Sequence, residues 1–322
     1  MPKVSVIVPI YNVEQYIERC AHSLFSQTLN SIEYIFVDDC SPDKSIDILR
    51  DVIRLYPHRK GQVRIIRHSV NKGLTCARNS GLAVASGEFI AHCDSDDYVD
   101  VHMYQLLYEE AKYRHADVVL CDIYLKSSNS LEIFQTITIS DKTNTVKSYM
   151  AGGYTTVWNK LVKRQLYDTF NLRSQENITY CEDFHLSVRQ LFYASTIAKV
   201  DRPLYYYNQQ NVNSIVHTFG ERALIEERIV YEEIIEFLIQ ENSFAPYQKE
   251  MSWRILKNKQ DLVLSKHTHS DFMQLYPWSH PYIMSCPTYF CNTKIKIMMW
   301  LLTHHCRFIL LPILGLRKFM NR

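Results

Sequence analysis

Residues 4–10, VSVIVPI, form a continuous run, mostly β-branched and apolar but for Ser5, starting three residues into the chain. A run without polar alternation is the pattern of a strand buried on both faces, so structure must cover it from two sides. The next hundred residues repeat the motif with helical segments between. Ile17, Cys20, Ala21 and Leu24 recur at helical spacing, with Asn12 as the expected N-cap and Gln15 three residues on. EYIFVD (33–38) reads as a second strand, and Ser41-Pro42 as the start of a helix carrying Ile46, Leu49 and Ile53. VRIIRH (63–68) follows, then a helix over 75–86 closed by Gly87, and strands at 88–93 and 117–122 with a helix between them. This series predicts an α/β chain with a doubly wound, mainly parallel sheet. Ligands bind such sheets beyond the carboxyl ends of the strands. Three polar clusters fall at those ends: Tyr11-Asn12, Asp38-Asp39 and the stretch from Asp94 to Asp97.

Beyond residue 122 the pattern loosens. Alternation over 131–140 suggests a strand or hairpin, and a helix is expected over about 183–193. From Glu221 the pattern is helical, with Leu224, Ile225, Ile229, Ile235 and Leu238 in its apolar stripe. The expected division is a first domain at 1–215 and a helical C-terminal region at 216–322. Hydrophobic residues make up 47% of the chain and charged ones 22%, enough for a real core, and a net charge of +2 gives no reason to expect a nucleic-acid partner. The nine cysteines contain no C-x-x-C, so they read as reduced thiols of a cytoplasmic protein, not a disulfide or zinc framework. The N-terminal residues carry no signal-peptide pattern, which favours the same compartment. Residues 283–322 combine Trp300 and a leucine-rich stretch with Lys294, Lys296, Arg307, Arg317 and Lys318, and no acid follows Asp271. Those charges argue against a spanning helix. Peripheral contact with an anionic membrane, at the inner face of the cell membrane, is one expectation for this segment; a core-packing helix is the other.

The sharpest chemical signal is Cys93-Asp94-Ser95-Asp96-Asp97, directly after an apolar strand. Carboxylates this close repel unless solvated, protonated or neutralised by a cation. Carboxylate oxygens suit Mg2+ or Mn2+, and Mg2+ completes its shell with water and phosphate oxygens. The alternative is a solvated acidic turn before a helix. Asp38 and Asp39 offer pure acceptors that suit a base imide or a ribose hydroxyl; helix-dipole stabilisation is the competing explanation. Glu182-Asp183 opens a helix in a separate segment, where a carboxylate could act as a base on the face opposite a leaving group. Arg78 suits a phosphate contact or an ordinary surface position. Lys160, in Trp158-Asn159-Lys160, is similar.

Taken in order, V-S-V-I-V-P-I-Y-N, V-D-D-C-S-P-D, N-K-G-L-T-C-A-R-N-S-G, G-E-F-I-A-H-C-D-S-D-D and E-D-F resemble family 2 glycosyltransferases of the GT-A fold across about residues 3–215. The resemblance implies an inverting enzyme that uses a nucleotide-sugar donor, most often a UDP-sugar, on a saccharide or lipid-linked acceptor, as in cell-surface polysaccharide synthesis. Pro9, Tyr11, Asn12 and Glu14 would line the donor pocket, Asp39 would bind the base, and Arg78 joins the donor-side candidates. Asp94 and Asp96 occupy the D-x-D position, contacting ribose, diphosphate and a Mg2+ or Mn2+ ion, with Asp97 a third candidate ligand. Asp183 aligns with the catalytic base; Glu182, Lys160 and Trp158 are the acceptor-side candidates. No Q-x-x-R-W motif of processive synthases is present, which implies single sugar addition. A nucleotidyltransferase is disfavoured because residues 9–16 lack glycine, lysine and arginine. A non-catalytic binding module on the same fold is the other alternative.

Overall fold

The computed structural model describes residues 1–152, 155–211, 220–264 and 267–306. The chain divides into two units, Met1–Gly220 and Glu221–Arg322.

The first unit is built on a mixed sheet of nine strands among the described residues. Its parallel half contains β1 (Val4–Ile10), β2 (Ile32–Asp38), β3 (Val63–Arg67) and β4 (Phe89–His92). They are joined by α1 (Ile17–Phe25), α2 (Ser45–Leu55) and α3 (Leu74–Val84) in the spatial order β3-β2-β1-β4. The connection therefore reverses direction between β1 and β4. The unbroken burial of β1 follows from this layering. Val4, Val6, Val8 and Ile10 join the core that α1 and α2 close, while Ile7 meets α3 at Gly81 on the other face. Ile35, Val37 and Ala77 form a smaller core on the α3 side.

The other half departs from a simple parallel series. After β5 (Tyr98–Val99) and α4 (Met103–Arg114), the chain forms β6 (Val118–Lys126) and β7 (Leu131–Phe134), an antiparallel hairpin. Then come α5 (Lys142–Ala151), β8 (Lys160–Lys163), α6 (Arg164–Thr169), α7 (Glu182–Tyr193) and β9 (Ile197–Asn208). β8 inserts between β4 and β6 and runs antiparallel to both. Its four residues, KLVK, are too few to show a period. β9 pairs in parallel with β6 through a register shift beside Asp122, whose partner is Pro203. A proline that cannot donate to the ladder is tolerated at such an irregularity.

Three expected helix boundaries move. Asn12 does not cap α1; it takes a left-handed φ of 55°, and the helix starts one turn later behind Tyr16. Ser41-Pro42 precedes α2, which starts at Ser45. The side chain of Asp43 instead accepts the Ser45 N–H at 3.1 Å. Gly87 is not the cap of α3, which ends at Ala85. It is there because the chain presses against β1: its N–H donates to Ser5 Oγ at 2.8 Å, and an added Cβ would lie 2.6 Å from the Ser5 backbone nitrogen.

The second unit is helical: α8 (Glu221–Gln240), α9 (Phe244–Asn258), α10 (His269–Gln274) and α11 (Thr293–Thr303). The buried face of α8 is Val230, Ile234 and Leu238, whereas Ile225 and Ile229, expected in its apolar stripe, are exposed. Buried Glu227 sets this rotation by accepting from Asn258 of α9 at 2.9 Å and pairing with Lys257 at 3.2 Å. Ile295, Met298, Met299 and Leu302 of α11 pack into the unit's own core, leaving Ile297 and Trp300 outward. No described helix is long and apolar enough to cross a membrane. The basic stretch from Arg307 lies outside the described residues.

Gly87→Ala forces a methyl group onto the β1 backbone, and strain of this kind costs about 1–3 kcal/mol. The variant is expected to melt several degrees below wild type while keeping its secondary structure by circular dichroism. An unchanged melting temperature would show that this close approach is not tight.

Candidate active site

The β1 and β2 ends are woven together by side chains. Pro9 is buried opposite Val37 of β2, just past Ile7, where pairing with β4 stops. Its missing N–H therefore costs no bond to β4. Tyr11 then projects from the sheet, 48% exposed. The Asn12 N–H donates to Ser41 Oγ at 2.8 Å. Glu14 donates its N–H to Asp43 at 2.8 Å and accepts from the Lys44 N–H at 3.0 Å. Buried Asp38 accepts from the Ser41 N–H at 2.8 Å. Asp39, also buried, takes the Lys72 and Gly73 N–H groups on separate oxygens, each at 2.8 Å, and bonds His68 Nδ1 at 2.6 Å. It thereby anchors the loop that leads into α3, through a glycine at φ 90°. His68 is a contributor the sequence reading missed.

Beyond β4, three neighbouring acids have different environments. Asp97 is 1% exposed and faces inward, accepting from Tyr205 Oη and the Asn208 N–H of β9, each at 2.7 Å. Burial, then the charges of Asp96 and Asp94, push its carboxyl well above the usual range. Its oxygens hold β9 to the turn between β4 and β5. Asp96 accepts from Asn211 Nδ2 at 2.8 Å. Asp94 accepts from Arg78 Nη2 at 2.9 Å. Both side chains are half-buried, unlike that of Asp97. Among the described residues no three His, Cys, Asp or Glu side chains form a metal group of their own. Two carboxylates suit a Mg2+ or Mn2+ ion that arrives with phosphate oxygens and keeps water.

Arg78 is where separated segments meet. It is 1% exposed, so the surface alternative is excluded, and its guanidinium faces carboxylates instead of open solvent. Nη1 reaches Glu182 at 3.0 Å and Asp183 at 2.6 Å, while Nη2 holds Asp94. Its partners within the chain are carboxylates of two separate segments. Asp183 has its other oxygen on the Val157 N–H at 3.2 Å, and its side chain remains 17% exposed. The segment before α7 is stapled by Asn79, which exchanges two bonds with the Ser174 backbone at 2.9 and 3.0 Å. Asp94, Glu182 and Asp183 are thus brought together, with Asp96 two residues from Asp94. Asp39 instead bonds the loop that enters α3.

Two acceptor-side candidates are interior groups. Trp158 is 3% exposed, its ring stacked on Tyr205 at 4.1 Å and on Tyr207 at 5.5 Å. Lys160 is 1% exposed and donates to the Thr156 carbonyl and, at 3.2 Å, to Ser187 Oγ. Burial pushes its ammonium down to about 7, against the opposing pull of Asp183. Lys160 thereby holds the Thr156 carbonyl next to Val157, whose N–H meets Asp183. Tyr205, Asn208, Asn211 and Val157 were missed as site residues. The tyrosine run 205–207 was the one visible signal, because aromatic residues favour strands.

The sequence pattern of the family described as Glycosyl transferase family 2 matches residues 5–185. The chain is 38% identical over 234 residues to "Uncharacterized glycosyltransferase EpsJ" of Bacillus subtilis (strain 168), covering 70% of this chain and 66% of that one. It is 31% identical over 287 residues to "Putative glycosyltransferase EpsH" of the same organism, covering 85% and 80%. Among solved structures, S. aureus TarS 1-349 in complex with UDP-GlcNAc matches with a TM-score of 0.71 at 19% identity, covering 95% of this chain and 91% of that one.

Burial, then the adjacent Asp183 charge, push the Glu182 carboxyl up to about 8, with Arg78 offsetting part of the rise. An unfolded Glu titrates near about 4.3, so the folded chain keeps a proton that the unfolded chain loses. That contribution is complete below the unfolded value and is lost as pH climbs through the folded one. Urea denaturation from pH 5 to 9 is expected to show wild type losing stability relative to Glu182→Gln as pH approaches 8. Parallel curves for the two proteins would contradict this environment for Glu182.

Proposed function

The chain belongs to glycosyl transferase family 2, and from that premise we propose that it moves one sugar from a UDP-sugar to a hydroxyl of a saccharide or lipid-linked acceptor, with inversion. The observation that carries the reading is the meeting of Asp94 and Asp183, 89 positions apart in sequence, on a single buried guanidinium. One carboxylate ends a parallel strand, where donors bind α/β sheets. The other opens α7 and reaches solvent beside it. An inverting transfer needs this pair of functions: charge control at the leaving diphosphate and a base across the anomeric carbon.

On this reading the exposed Tyr11 ring lies near the base, and Asp39, which anchors the adjoining loop, binds it. The choice of uracil is supported by the UDP-GlcNAc complex of the similarly folded TarS. A Mg2+ or Mn2+ ion, held by Asp94 and Asp96 with the diphosphate, would offset negative charge on the leaving group. Asp183 accepts the acceptor hydroxyl proton as that oxygen attacks in line. Val157 N–H and Arg78 keep its carboxylate oriented. The absence of a Q-x-x-R-W motif supports one addition per encounter.

Asp183→Asn is expected to lower transfer by about 10^3-fold, the range of general-base catalysis, while calorimetry shows UDP binding close to wild type. Near-wild-type turnover would remove Asp183 as base. In a screen of nucleotide-sugars for release of nucleoside diphosphate, excess EDTA is expected to stop turnover and added Mn2+ or Mg2+ to restore it. Full activity in the chelator would exclude the cation.

A further inference from the structure

Two consecutive residues of α3 do separate jobs. Asn79 staples the Ser174 backbone, and Arg78 takes the acids at the start of α7. The helix carrying them is fixed against β1: a Cβ on Gly81 would lie 2.5 Å from Ile7 Cγ2, so only glycine lets α3 come this close. From this rigid position one guanidinium spans Asp94 on one nitrogen and the Glu182 and Asp183 pair on the other. Three carboxylates brought together without a cation would push apart. A planar fork can hold two sides at once, which the point charge of a lysine cannot reproduce.

We propose that Arg78 is a positioning residue for the transfer. It holds Asp183 at a set spacing from Asp94, so that base and donor-side carboxylate are aligned before either substrate arrives. The inference rests on the reading of Asp183 as base. It assigns Arg78 no contact with the donor, because its guanidinium is buried and turned onto the carboxylates. Asp96 still serves the donor side when Arg78 is lost, so the loss falls on kcat far more than on donor affinity. Misplacement of a reacting group by on the order of 1 Å can cost about 10^2-fold.

The test compares Arg78→Lys and Arg78→Ala with wild type in the full chain, by thermal melting, UDP titration and steady-state transfer. The expected result for Arg78→Lys is a kcat lower by about 10^2-fold with UDP affinity near wild type. In Arg78→Ala the rate falls further, and millimolar guanidinium ion restores part of it while ammonium ion at equal ionic strength does not. Three outcomes overturn the proposal: wild-type kcat in a folded Arg78→Ala; UDP affinity that falls in step with kcat; or a rate loss equal to the unfolded fraction that guanidinium does not rescue. Asp183→Asn in the same assay separates the two claims. Retained activity there removes the base reading itself, whereas an inactive Asp183→Asn beside a fully active Arg78→Ala removes only the positioning role.

Discussion

Gathering carboxylates at the ends of buried strands is an electrostatic cost that each acid must offset with its own partners. Arg78 does this for the three that matter most to the proposed chemistry. A guanidinium almost fully removed from water is itself expensive, and it is tolerable because Asp94, Asp183 and Glu182 surround it. The dependence runs both ways: the arginine keeps its charge in the interior, and the acids stay close. One more economy is visible in Glu182, whose raised carboxyl means that not every member of the cluster must carry charge.

The other acids are satisfied by different means, and this separates their roles. Asp39 receives two backbone N–H groups and becomes the anchor of the loop entering α3. Asp97 receives a tyrosine hydroxyl and a backbone N–H and ties the turn before β5 to β9. Asp94 and Asp96 each spend one oxygen on a protein partner and remain partly open. Three acids in one short motif thus divide into two that can face a ligand and one that holds the frame. Repulsion alone predicts that they need compensation; it does not say which partner each will find.

The parallel half of the sheet was legible because its signals are local. The run VSVIVPI, the helical spacing of Ile17, Cys20, Ala21 and Leu24, and the acids after each strand all sit within one element or one turn. Family 2 membership was legible for the same reason: its motifs are short strings in order. The antiparallel insertion of β8 was not, since four residues carry no period and their partners lie about 40 to 75 positions away. The caps were misread where a local propensity met a tertiary demand. Gly87 resembles a helix terminator, but the need it serves is clearance from the Ser5 backbone.

The amino-acid sequence by itself determined the alternation of buried strands and amphipathic helices, the placement of acids at strand ends, and the family. These depend on neighbours along the chain, where side-chain period and backbone geometry act directly. Only the tertiary structure decided that Arg78, Trp158 and Lys160 are interior, and that Asp97 is buried while Asp94 and Asp96 keep some exposure. Those outcomes depend on which groups from distant segments arrive to share a hydrogen bond or a charge, and no spacing within a single segment encodes that meeting.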